Sequence, residues 1–141
     1  MKLEDEVYES LKEHFSDYYD IRRKSRLEGY SGFAWEPDFV MEKYGEIVAI
    51  IEVKEVSPES DQRTLHTHMR LAFAELCDLH RKYSGAITLV IIPRETLDMY
   101  EVFFEGKYYK LFSSINGGVF PKEFIEDPDG LLDWLKREGK L

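Results

Sequence analysis

Residues 46–55 read Glu-Ile-Val-Ala-Ile-Ile-Glu-Val-Lys-Glu. In an extended strand side chains alternate, so Val48, Ile50, Glu52 and Lys54 share one face and Ile47, Ala49, Ile51 and Val53 the other. As far as Ile51 both faces are apolar, which requires cover from both sides and a central place in a sheet. At Glu52 one face turns from core to charge while the other stays apolar through Val53. A buried strand therefore ends in an acid and a lysine, at the kind of carboxyl edge where α/β sheets collect ligands.

The flanking sequence supplies the rest of the sheet and its helices. Leu3, Val7, Leu11 and Phe15 recur at four-residue spacing and predict an amphipathic helix over 3–15. Residues 18–27 read as extended, and Gly29 and Gly32 mark a loop that runs to Trp35. Asp38 to Lys43 reads as a strand joined to the buried one around Tyr44-Gly45. Ser57-Pro58-Glu59 offers a capping hydroxyl and a proline suited to a helix start. Leu65, Met69, Ala72, Phe73, Leu76, His80 and Tyr83 then keep helical spacing up to Ser84-Gly85, and residues 86–92 read as a buried strand closed by Pro93. A strand, helix, strand succession predicts a parallel crossover. Residues 100–112 read as a β-hairpin turning at Glu105-Gly106, 113–118 as a loop, and a last helix starts at Asp127-Pro128 and stops at Gly139.

The expectation is one α/β domain over 1–141, a length that fits a single core. Its core, 1–93, has the order α-β-β-β-α-β with a mixed sheet, and 94–141 adds a C-terminal β-hairpin and helix.

Apolar residues at 43% and aromatics at 14% argue against disorder, and no apolar run is long enough to span a bilayer. With a polar, acidic start and no signal-like segment, a cytoplasmic location is expected. Cys77 is the only cysteine, so no disulfide or thiolate metal cluster forms within the chain, and a half-buried inert thiol is expected there. Asn116 and Gln62 are the only amide side chains amid many Glu, Lys and Arg, a composition that leans towards a thermophilic source.

A net charge of −9 disfavours nucleic acid as a partner when averaged over the chain. Basic residues are nevertheless clustered. Arg22, Arg23, Lys24 and Arg26 crowd into residues 20–27, and Arg63, Arg70, Arg81 and Lys82 recur later beside His66, His68 and His80. They read either as solvated faces or as a phosphate track.

Asp38 can act with Glu52 only if hairpin register brings both to one face. A two-residue loop at Tyr44-Gly45 without a bulge sets Asp38 opposite Ile51, on the wrong side. A three-residue loop Lys43-Tyr44-Gly45 sets Asp38 opposite Ile50 and diagonal to Glu52, and is the expected geometry. Two carboxylates so placed can converge on one divalent ion, with Lys54 orienting a water or offsetting charge. The same letters occur elsewhere without that setting. Glu105-Gly106-Lys107 falls in a hairpin turn and Glu138-Gly139-Lys140 at a helix end, where charges are simply solvated.

Pro37-Asp38, thirteen intervening residues and Glu52-Val53-Lys54, set in an α-β-β-β-α-β order, resemble the PD-(D/E)XK nuclease superfamily with its restriction-endonuclease-like, three-layer fold. The resemblance covers residues 1 to about 92. It implies that Asp38 and Glu52 bind Mg²⁺ (or Mn²⁺), that Lys54 assists the attacking water, and that an acid on the first helix joins them, Glu4 ahead of Glu6. The run from Arg22 through Ser31-Gly32, Pro37-Asp38-Phe39 and Ala49 to Glu55 also resembles archaeal Holliday-junction resolvases, which are small basic dimers. Gln62 is similar in place to a glutamine of recombination exonucleases in the superfamily, with His66 where those carry tyrosine. The implied function is a Mg²⁺-dependent nuclease acting on DNA, with branched and single-stranded forms among the candidate substrates, as a homodimer with no membrane partner. Arg22, Arg23, Lys24, Arg26 and Gln62 would contact the nucleic acid, and Tyr30, Phe33 and Trp35 read as rings that stack on bases or wedge a junction, or as core packing. The alternative is a nuclease-fold protein that no longer cuts and serves as a nucleic-acid-binding or assembly subunit.

Overall fold

A computed structural model of the chain describes residues 2–99 and 109–137. In order these are helix α1 (Leu3–Phe15), strands β1 (Asp20–Arg23), β2 (Leu27–Glu28), β3 (Ala34–Trp35), β4 (Phe39–Lys43) and β5 (Glu46–Val53), and helix α2 (Gln62–Lys82). Strand β6 (Ile87–Ile91), helices α3 (Arg94–Met99) and α4 (Tyr109–Ser113), strand β7 (Gly117–Phe120), and helices α5 (Glu123–Glu126) and α6 (Pro128–Arg137) follow. No helix among the described residues is long and apolar enough to cross a membrane.

The main sheet has the order β1-β4-β5-β6-β7. The β1–β4 and β4–β5 pairs are antiparallel, and β5–β6 and β6–β7 are parallel. The strand that is apolar on both faces is thus the middle one. Leu3, Val7, Leu11 and Phe15 of α1 pack with Phe39, Met41, Ala49, Ile51 and Leu89 on one side, together with Leu131 and Leu135 of α6. Leu65, Met69, Ala72, Leu76 and Leu79 of α2 pack with Ile50 and Val90 on the other, joined by Phe112 of α4. Helices cover both faces of a mixed five-stranded sheet.

Four local expectations are corrected. The turn at Tyr44-Gly45 has two residues, both left-handed (φ +53° and +77°), with Lys43 paired to Glu46. This is the arrangement that matches strand twist in a tight hairpin, and glycine satisfies its second position. A bulge between Met41 and Glu42 then shifts the register, so Met41 faces Ala49 and Phe39 faces Ile51. The bulge also turns Val48 into the α1-side core and Ile47 towards the α2 side, against simple alternation.

Helix α2 begins at Gln62 instead of Pro58, because Asp61 accepts the Thr64 N–H at 2.8 Å and is the effective cap. Residues 109–113 are helical where a hairpin strand to 112 and the start of a loop were expected, and the rest of that hairpin, 100–108, lies outside the described residues. Finally, 117–118 open β7, which pairs with β6 in the main sheet, so the C-terminal segment completes the core instead of extending it. The Glu105 and Glu138 copies of the acid-x-lysine pattern also lie outside the described residues.

Candidate functional site

Strand β4 is entered through Asp38, and β5 leaves through Glu52, Val53 and Lys54. Phe39 faces Ile51, so the bulged register, continued by one residue, sets Asp38 directly opposite Glu52. The expected diagonal is replaced by a closer pairing on the same face. The Asp38 backbone N–H donates to Glu52 Oε1 at 2.9 Å, and the Val53 N–H donates to Asp38 Oδ2 at 2.7 Å. Both acids are buried, at 7% and 6% exposure. Lys54 Nζ stands 3.7 Å from Glu52 Oε2.

Two further acids and a second lysine complete the cluster. Lys24 follows β1 in the left-handed backbone region (φ +56°) and donates its N–H to the Asp38 carbonyl at 3.1 Å. A non-glycine residue is held there at a cost of roughly 1–2 kcal/mol. Its ammonium bonds the Asp38 carboxylate and lies 3.1 Å from Glu4 Oε1. Those bonds, to Asp38 first and Glu4 next, raise the Lys24 pKa against the opposing effect of burial. Glu4 is positioned because the N-terminus of α1 is docked on the end of β5: the Leu3 N–H donates to the Glu55 carboxylate. Glu6 points elsewhere and pairs with Lys122 at 3.6 Å.

On the α2 side the Glu75 carboxyl lies within hydrogen-bond range of Glu52. Burial, the contact with Glu75 and repulsion from Glu75 and Asp38 push the Glu52 carboxyl well above the ordinary carboxylate range, with Lys54 opposing. Burial also raises Glu75, while the hydrogen bond from Glu52 holds it down. Two such carboxyls in contact, both raised by burial, share a proton between them. Among the described residues no N–H or hydroxyl reaches Glu75 Oε2, which is buried.

This donor chemistry fits a hard divalent cation. Mg²⁺ is commonly held by one or two carboxylates plus water, and Asp38 and Glu52 are two such groups side by side. Among the described residues, no group of three or more His, Cys, Asp or Glu side chains forms a ready-made metal cage.

Of the residues expected to meet nucleic acid, the structure brings Lys24 into the cluster and sets Arg23 Nε at its edge, 3.7 Å from Glu4 Oε1. Arg22 pairs with Glu42 at 3.1 Å, and Arg23 with Asp5 at 2.5 Å while lying over the Tyr8 ring. Arg26 is exposed on the β1–β2 connection, and Gln62 is exposed at the start of α2, about 20 Å along the helix from Glu75. The sequence reading missed Glu75 and the inward role of Lys24. Glu75 carries a signal that could have found it, since it stands three residues after Ala72 and four before Leu79, on the edge of the buried stripe of α2.

No protein-family model matches this chain, and no curated protein matches it. Among solved structures it is similar to the crystal structure of AF1548, a protein of unknown function, with 15% identity and a TM-score of 0.51. The match covers 96% of this chain and 65% of that one, so this chain spans 65% of the other's length. At that identity the likeness concerns the fold alone.

Proposed function

We propose that this chain is a Mg²⁺- or Mn²⁺-dependent DNA nuclease of PD-(D/E)XK type, with a restriction-endonuclease-like fold. The observation that carries the reading is the buried pairing of Asp38 with Glu52, with Lys54 beside them. Like charges in so dry a place need a proton or a cation between them. Asp38 and Glu52 would hold the metal, which when bound supplies a water acidified for attack and offsets charge on a phosphodiester. The two hydrogen bonds between β4 and β5 fix the carboxylates in place. Lys54, on the same strand end, would orient the water or balance charge on the phosphate. Glu75, already in hydrogen-bond contact with Glu52, would take up the proton that Glu52 gives up on metal binding.

One contact favours a second reading. The Lys24 ammonium already lies between Asp38 and Glu4 and neutralises part of the cluster, as it would in a nuclease-fold protein that binds or assembles without cutting. Incubation of plasmid, duplex, single-stranded and branched DNA with Mg²⁺, Mn²⁺ or EDTA separates the two. Metal-dependent products support the nuclease, and intact DNA in every combination supports the non-cutting subunit.

A further inference from the structure

We infer that the loop Gly29–Trp35 is a rigid stacking platform for the bases of single-stranded DNA, with Tyr30 and Phe33 as its rings. This deepens the nuclease reading by naming its substrate class, and rests on it. The loop is the tip of the β2–β3 hairpin, an excursion between β1 and β4 whose base is formed by Lys24 and Asp38. Two strands of two residues cannot hold their own shape. Asp78 of α2 does it for them. Its carboxylate accepts from the Ser31 N–H at 2.9 Å, the Ser31 hydroxyl at 2.7 Å and the Trp35 indole N–H at 2.8 Å. Its carbonyl accepts the Tyr30 N–H at 3.1 Å. Gly29 passes so close that a Cβ there would lie 2.1 Å from Asp78 Oδ2, so only glycine fits.

On this fixed tip Trp35 is half-buried and Phe33 rests on it at 4.7 Å between ring centroids. Tyr30 and Phe33 are nevertheless 64% and 62% exposed. Isolated exposed aromatics need no explanation. Two on a pre-ordered support differ, because little entropy is lost when a partner settles on them. The Arg81 guanidinium lies 4.4 Å over one face of Tyr30, and exposed Arg26 lines a cleft with Trp35 and Glu36. A ring backed by a guanidinium suits a base and its phosphate.

Glu75, Asp78 and Arg81 follow one another along α2, which sets the platform about 9 Å along the helix from the acid cluster. Bases inside a duplex are already stacked on each other and cannot lie on these rings. An unpaired strand can.

The test is binding of fluorescein-labelled oligothymidylate, and of a duplex of equal length, followed by anisotropy in EDTA. The single strand should bind more tightly than the duplex. The double variant Tyr30→Ala/Phe33→Ala should weaken single-strand binding by about tenfold or more, with an unchanged melting temperature, while Tyr30→Trp retains it. Equal or tighter duplex binding, no single-strand binding, or a double variant that binds like the parent would overturn the inference. So would conversion of a dimer to a monomer by the double variant with DNA binding unchanged, since the rings would then be an interface between copies. Because EDTA removes the metal, the outcomes separate: single-strand binding without cleavage sinks only the nuclease reading, and metal-dependent cleavage of duplex that ignores the double variant sinks only this one.

Discussion

Asp38 and Glu52 hold each other in place: the Asp38 N–H bonds the Glu52 carboxylate at 2.9 Å, and the N–H just beyond Glu52, that of Val53, bonds the Asp38 carboxylate at 2.7 Å. Each acid is fixed by backbone next to the other, so neither can swing away to relieve repulsion. The strain has to be relieved electrically, by the shared proton with Glu75, by Lys24 and Lys54, or by a cation.

The first consequence is a pH dependence. The raised Glu52 carboxyl keeps its proton in the folded state above about pH 4.3, where an unfolded glutamate has lost it. The folded state then binds more protons than the unfolded one, so stability falls as pH rises from that point through the raised folded value. Glu52→Gln removes the titrating group. Thermal melts at a series of pH values should show the variant melting higher than the parent on the alkaline side, with a flatter profile.

Metal should act in the opposite direction. Binding to Asp38 and Glu52 displaces the proton, so affinity rises with pH. Mn²⁺ should raise the melting temperature of the parent more at alkaline than at acidic pH, and should do nothing for Asp38→Asn. A shift of equal size in that variant would place the metal elsewhere.

Lys24 separates the cutting from the non-cutting reading. Lys24→Ala removes the ammonium that Asp38 and Glu4 share, leaving Asp38 the Val53 N–H and Glu4 the Arg23 guanidinium, and should cost about 1 kcal/mol, a modest amount because half of the side chain is in water. Urea denaturation measures it. If metal competes with this ammonium, Mn²⁺ should restore most of the loss and bind the variant more tightly than the parent.

The hairpin turn offers a gain. Tyr44 is 96% exposed and sits at φ +53°, a region that asparagine tolerates better. Tyr44→Asn should stabilise the protein by about 0.5–1 kcal/mol in urea melts.

Much of this architecture was legible because burial patterns are local. The stripe of Leu3, Val7, Leu11 and Phe15, and the run from Ile47 to Ile51, gave α1 and the middle strand directly. What escaped notice depends on contacts distant in sequence. Nothing near Met41 announces the bulge that lets a two-residue turn still bring Asp38 to Glu52. The glycines 117 and 118 look like loop and become strand only because β6 offers an open edge. Lys24 reads as one of four basic side chains, and its backbone and its acid partners, Glu4 and Asp38, are visible only in three dimensions. Asp61 is the cap in place of Ser57 because its carboxylate reaches the Thr64 N–H, a contact made only after the chain has turned past Ser57.

The nuclease reading meets its most direct test in one rate comparison: cleavage of labelled DNA with Mg²⁺ by the parent and by Lys54→Ala, the variant first shown to be folded by its melting temperature. Lys54 joins the sheet through its backbone, whose N–H bonds the Ile91 carbonyl at 2.9 Å and is kept by alanine, so the expected result is a folded variant at least about a hundredfold slower. Equal rates in the two proteins would contradict the placement of the site at Asp38, Glu52 and Lys54.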